Sequence, residues 1–143
     1  MLSQTSKIAI RAVIYLSEQS INNKKASVDE ISDEINASRH TVGKALQKLV
    51  KSNVIDSLKG PNGGFFLDDA QQNQVVYKVI EAIEGTDLFT RCGLGLVQCS
   101  DKHPCPIHEE YKEVRDAIQK VFTKRKIKDL RNYVSKGYAF LVD

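Results

Sequence analysis

Residues 38–67 read SRHTVGKALQKLVKSNVIDSLKGPNGGFFL. In the first half, Val42, Ala45, Leu46, Leu49 and Val50 recur at the spacing of one helix face, and Ser38 stands where an N-cap belongs. Arg39, His40, Gly43, Lys44, Gln47, Lys48 and Lys51 cover the rest of that helix. The second half changes period. Val54 to Leu58 is β-rich and too short for a helix. Lys59-Gly60-Pro61-Asn62-Gly63-Gly64 has turn chemistry, and Phe65-Phe66-Leu67 offers a second short strand. A β-hairpin directly behind a basic helix predicts a winged helix.

The residues upstream complete the motif. Ser27-Val28-Asp29-Glu30 fits a capping box, and Val28, Ile31 and Ile35 give a short helix its buried stripe. Asn36-Ala37 makes a tight connection to the Ser38 cap. Two short helices joined by such a turn, the second one basic, form a helix-turn-helix pattern. Before them, residues 4–19 read as an amphipathic helix capped by Ser3, and Ser20 to Ala26 has turn composition. The expected fold is mainly α with a small β-hairpin. It comprises a winged helix-turn-helix domain over residues 1–70 and a second part over 71–143, packed with the first as one unit.

Charge agrees with a polyanion partner. The net charge is only +3, but residues 38–64 hold five basic side chains and one acidic one. Candidate DNA-binding residues are Ser38, Arg39, His40, Thr41, Lys44, Gln47 and Lys48 on the helix. Lys59, Gly60, Pro61, Asn62, Gly63 and Gly64 join them on the wing. Arg and Gln can pair with guanine and adenine edges, Lys mostly meets phosphate, and glycines let backbone approach phosphates. The competing reading is a solvated helix in an all-helical bundle, which leaves the hairpin unexplained.

Downstream, residues 74–84 read as another amphipathic helix ending at Gly85. Residues 92–108, CGLGLVQCSDKHPCPIH, then gather all three cysteines in one loop. Six residues separate Cys92 from Cys99, five separate Cys99 from Cys105, and two more lead to His108. Cysteine as plain core filler prefers apolar helices and strands, so the clustering suggests a site. Unligated thiols, a zinc site, a thiol switch and an iron–sulfur cluster all fit this pattern. From about Pro106 a helix resumes. Ile107, Tyr111, Val114, Ile118, Val121 and Arg125 step by four, three, four, three and four, and the apolar ones form a narrow seam suited to a partner helix. A short helix from Ile127, broken by Gly137, and an aromatic tail end the chain.

Other classes are disfavoured. No run of about 18 apolar residues exists to span a membrane. Three cysteines are an odd number and too few for a disulfide scaffold, so a reducing cytoplasm is expected. No Ser–His–Asp set, phosphate loop or zinc-hydrolase motif is present, which argues against an enzyme. A cluster carrier without a DNA role would leave Arg39, His40, Lys44 and the wing unused.

The Ser38–Leu67 stretch, the EAIEGTDLF segment at Glu81–Phe89 and three spaced cysteines ahead of CPIH together resemble the Rrf2 family of transcriptional regulators. The similarity covers essentially the whole chain. It implies a homodimer that binds a roughly palindromic double-stranded operator, as repressor or activator. It also implies an iron–sulfur cluster, 2Fe–2S or 4Fe–4S, on Cys92, Cys99 and Cys105 that makes the protein a redox sensor. His108, three residues past Cys105, is the nominated fourth ligand, with His103, Asp101 and Glu109 behind it. Ile107, Tyr111, Val114, Ile118 and Val121 would form the dimer interface. Two departures stand out. Lys59 replaces the usual Arg before Gly-Pro, and the first cysteine gap is six residues where the family usually has five.

Overall fold

The computed structural model describes residues 1–143. Helix α1 (Gln4–Ile21) runs through the centre, and its start is capped as expected, with the Ser6 amide donating to Ser3 Oγ at 3.1 Å. Ile8, Ala9, Ala12, Val13 and Leu16 bury one stripe of it. Helices α2 (Val28–Glu34) and α3 (Arg39–Lys51) pack their Ile31, Val42, Ala45, Leu46 and Leu49 into the same core. Their turn passes through Asn36 at φ 49°, a left-handed conformation that asparagine tolerates better than most residues. Ser27 accepts from the Glu30 amide at 3.2 Å, but Glu30 does not reach back and stays in solvent, so only half of the expected capping box forms.

The hairpin is real but shorter than the sequence suggests. Strands β1 (Asp56–Leu58) and β2 (Gly64–Phe66) pair antiparallel, with Asp56 opposite Phe66 and Leu58 opposite Gly64. Val54 and Ile55 belong to the core rather than to the strand. A third stretch joins the sheet: Ala26, read as turn, exchanges two backbone hydrogen bonds with Phe65 at 3.1 and 2.8 Å. This explains Gly64, where a Cβ would sit 2.8 Å from the Ala26 carbonyl oxygen.

After the wing comes a short helix α4 (Asp69–Gln72) that the sequence did not announce, capped reciprocally by Asp68 and Gln71. Its Gln72 is buried beside Ser17 and accepts from Arg131 Nη1 at 2.8 Å. The next helix, α5 (Tyr77–Glu84), begins three residues later than residue 74, the expected start. Gln74 and Val76 instead pair with the far end of the chain. The Val76 amide donates to Arg125 O, and the Ile127 amide donates to Gln74 O, both at 2.9 Å. The same pairing stops α6 (His108–Lys124) one residue short of Arg125, which is extended, and lets α7 (Ile127–Ser135) turn back onto α1. Gly137, at φ 75°, lies just past the end of α7. Helix α6 leans on the body through Phe122, whose ring lies 6.4 Å from Phe89, itself 5.0 Å from Tyr77.

Candidate nucleic-acid interface and metal centre

Helix α3 presents Arg39, His40, Lys44 and Gln47 to solvent, while Thr41 is half-buried and its amide is capped by Ser38 at 3.5 Å. Arg39 is held by Asp29 of α2 at 3.3 Å, with both side chains about two-thirds exposed. Such an exposed pair costs little to open, so the guanidinium can exchange Asp29 for a base edge. Lys48 differs from its neighbours: its Nζ donates to Ile83 O of α5 at 3.3 Å.

The wing tip Lys59-Gly60-Pro61-Asn62 is exposed. Gly60 to Gly63 form a β-turn, the Gly63 amide donating to Gly60 O at 2.9 Å, with Pro61 and Asn62 at its centre. A Cβ on Gly63 would lie 2.0 Å from Leu58 O, so the tight return to β2 admits glycine there. Helix and wing together make an exposed, basic, backbone-accessible surface.

The cysteine loop folds against the first turn of α6. Cys92 and Cys105 are buried, 7% and 8% exposed, and Cys99 is partly so. His108 is 4% exposed and is the one buried residue of α6. Its Nδ1 lies 3.4 Å from Cys99 Sγ, and its Nε2 lies 2.8 Å from Asp101 Oδ1. Lys112 Nζ holds the same carboxylate at 3.0 and 3.3 Å. With the hydrogen on Nε2 donating to Asp101 Oδ1, the Nδ1 lone pair faces Cys99. This is how outer carboxylates orient ligating histidines.

The electrostatics favour thiolate at one end. Backbone amides of Leu94 and Leu96 hold the Cys92 thiol below its ordinary value, with smaller help from Cys105 and Gly95 and against its burial. At Cys105 the Ile107 amide pulls the same way, but burial and the neighbouring Cys92 and Cys99 thiols outweigh it and raise the value. Asp101 is held below the carboxylate range by His108 first and Lys112 second. Thiols and an imidazole are the donor types that soft metals and iron–sulfur clusters take, and Cys99 and His108 meet here. No three of the donor atoms of Cys92, Cys99, Cys105 and His108 converge within 4.8 Å, whereas one donor atom each of Asp101, His108 and Glu109 does. The Lys112 ammonium on Asp101 works against a cation there. His103 is exposed.

Sequence reading missed what clamps this loop to α6. The Tyr111 ring lies so close over Gly93 that a Cβ there would meet it at 2.8 Å, and Arg115 Nη1 donates to Arg91 O at 2.9 Å. Lys112 was visible only as a flank of the seam. Its four-residue spacing from His108 puts both on one helix face, which was the available signal. Of the seam residues, Ile107, Val114 and Val121 are exposed (Val114 58%, Val121 57%), while Tyr111 and Ile118 are half-buried.

Fold and surface together define a class: a winged helix-turn-helix transcriptional regulator with a thiol-rich loop beside its long C-terminal helix. The Rrf2 profile, described as an iron-dependent transcriptional regulator, matches residues 2–133. The chain belongs to the Rrf2 family. A relative from Aquifex aeolicus (strain VF5), classed as an HTH-type transcriptional regulator, is 30% identical over 138 residues, covering 95% of this chain and 94% of that one. The HTH-type transcriptional regulator IscR of Escherichia coli (strain K12 / DH10B) is 26% identical over 120 residues, covering 82% of this chain and 71% of that one. Among solved structures, T. potens IscR superimposes with a TM-score of 0.75 at 16% identity, covering 97% of this chain and 91% of that one. CymR, the global cysteine regulator of B. subtilis, gives 0.71 at 20% identity, covering 93% and 97%. These matches are to regulators rather than enzymes. No helix is long and apolar enough to cross a membrane.

Proposed function

We propose that this chain is a homodimeric, sequence-specific DNA-binding regulator of the cytoplasm whose operator affinity is set by an iron–sulfur cluster held on Cys92, Cys99, Cys105 and His108. The observation that carries the reading is the buried His108 imidazole, turned by Asp101 so that Nδ1 faces Cys99 at 3.4 Å. His108 is the one buried side chain of an otherwise exposed or half-exposed helix, and a ligand role accounts for that placement.

The DNA-binding part would be residues 1–70 and the sensing and dimerising part 71–143. The helix face from Arg39 to Gln47 would read base edges in the major groove, with the Lys59–Gly64 wing on the flanking backbone. Ile107, Tyr111, Val114, Ile118 and Val121 would meet the same seam on a second chain. Two reading heads related by a two-fold axis call for a roughly palindromic operator. When bound, the cluster would supply a centre whose charge and integrity respond to oxidants and reactive gases. The chain's own residues do the rest. The thiols and His108 order the loop, and Tyr111 and Arg115 tie that order to α6 at Gly93 and Arg91. An affinity change of about 5- to 150-fold between states needs only about 1–3 kcal/mol of coupling.

A second reading has its own support. The thiolate-favouring amides around Cys92, with Cys105 near enough to perturb its proton, suit a thiol switch without metal. A Cys92→Ser, Cys99→Ser, Cys105→Ser triple variant, compared with wild type for DNA binding with and without oxygen, tests both readings. State-dependent binding in wild type and none in the variant supports a sensor on this loop. Identical behaviour in every condition contradicts it.

A further inference from the structure

We infer that Lys48 is a positioning residue that links the reading helix to the sensing half, rather than a DNA contact. The inference rests on the proposed sensor role of the cysteine loop and names the route from that loop to α3. Lys48 sits in the last turn of α3, on the exposed face that it shares with Lys44 and Lys51. Its ammonium donates to Ile83 O at 3.3 Å and forms no ion pair. Ile83 is in the last turn of α5, where carbonyls lack intrahelical partners and carry the negative end of the helix dipole. Helix α5 has no cation of its own in that turn. The nearby Glu84 carboxylate is occupied by the Ser3 amide at 3.3 Å. Lys48 thus supplies from α3 the charge that α5 lacks.

The position of that carbonyl gives the contact its meaning. Directly after it the chain turns at Gly85, makes the single 3-10 turn Asp87–Phe89 and enters the loop at Cys92. Any change of order in the loop that moves the end of α5 therefore pulls on Lys48 and tilts α3. The apolar contacts of α5 with the core, Val79 and Ile83, are non-directional and tolerate such a slide. A charged donor on one carbonyl does not.

The test uses full-length wild type, Lys48→Met and Lys48→Arg, each purified without oxygen and each also after treatment with ferricyanide and a chelator. The probe is a duplex selected by wild-type protein from a randomised pool. Affinity is measured in both states over a series of salt concentrations. The expected result is that the affinity ratio between states shrinks by about threefold or more in Lys48→Met, the loss of one charged hydrogen bond. The salt slope should stay at the wild-type value, and Lys48→Arg should keep the ratio. A ratio that shrinks less than that overturns the inference. So does a salt slope shallower by about 0.9, the signature of a lost phosphate contact. A wild-type ratio of one would sink the sensor reading itself and, with it, this link.

Discussion

His108 Nδ1 stands 3.4 Å from Cys99 Sγ while Asp101 occupies the opposite ring nitrogen at 2.8 Å. The two residues are nine positions apart, one in an irregular loop and one opening a helix. Their meeting sets a buried imidazole against a loop thiol. Asp101→Ala removes the group that orients the ring and leaves a buried N–H without a partner. Metal retention against a competing chelator should fall about 10- to 100-fold. Asp101→Asn, which keeps an acceptor oxygen, should lose less.

The same carboxylate sets a pH limit for the loop. Its value in the folded protein is depressed, chiefly by His108 and then Lys112. A depressed acid contributes fully above its unfolded value and loses that contribution as pH falls through the folded one. The His103 and His108 amides, which donate to Ser100 O and Cys105 O, should therefore keep their hydrogen-exchange protection at about pH 5 and lose it below about pH 4. Protection lost already near neutrality would show that Asp101 does not hold the loop.

The wing glycines differ in kind. At Gly63 an added Cβ meets backbone at 2.0 Å, whereas at Gly60 nothing lies within 4 Å and only the φ of 109° is unfavourable. Gly63→Ala should deform the turn and weaken DNA binding by about 5- to 150-fold, the equivalent of roughly 1–3 kcal/mol of strain. Gly60→Ala should weaken it less. Fluorescence anisotropy with a labelled duplex measures both.

Val114→Glu and Val121→Glu place charges on the exposed seam of α6 without touching the core. Helical content should be unchanged, sedimentation should show monomer in place of dimer, and affinity for a two-half-site duplex should fall roughly a hundredfold with the loss of bivalency. A variant that stays dimeric would move the interface elsewhere.

Much of this was legible where structure is local. Ser3, Ser27 and Ser38 announced three helix starts, and the Gly-Pro-Asn-Gly-Gly run announced the hairpin. What was not legible depends on chain segments far apart. Ala26 becomes a strand residue because Phe65 offers it a ladder, and Gln74 and Val76 leave the helical pattern because residues 125–127 pair with them. Lys48 has the spacing of a surface lysine, and no periodicity reveals the carbonyl across from it. The cysteines and His108 could be named from their clustering. The Asp101–Lys112 pair beside the His108 ring could not, since it forms across a loop whose path sequence does not fix.

The central claim is that this loop holds a cluster. The most direct test is to purify the chain without oxygen, record its visible spectrum and count iron and acid-labile sulfide per chain. The account predicts a coloured protein with sulfide near iron, bleached by replacing any of Cys92, Cys99 or Cys105 with serine. A colourless protein that stays so after reconstitution with iron and sulfide would contradict it and leave the thiol switch as the reading of this loop.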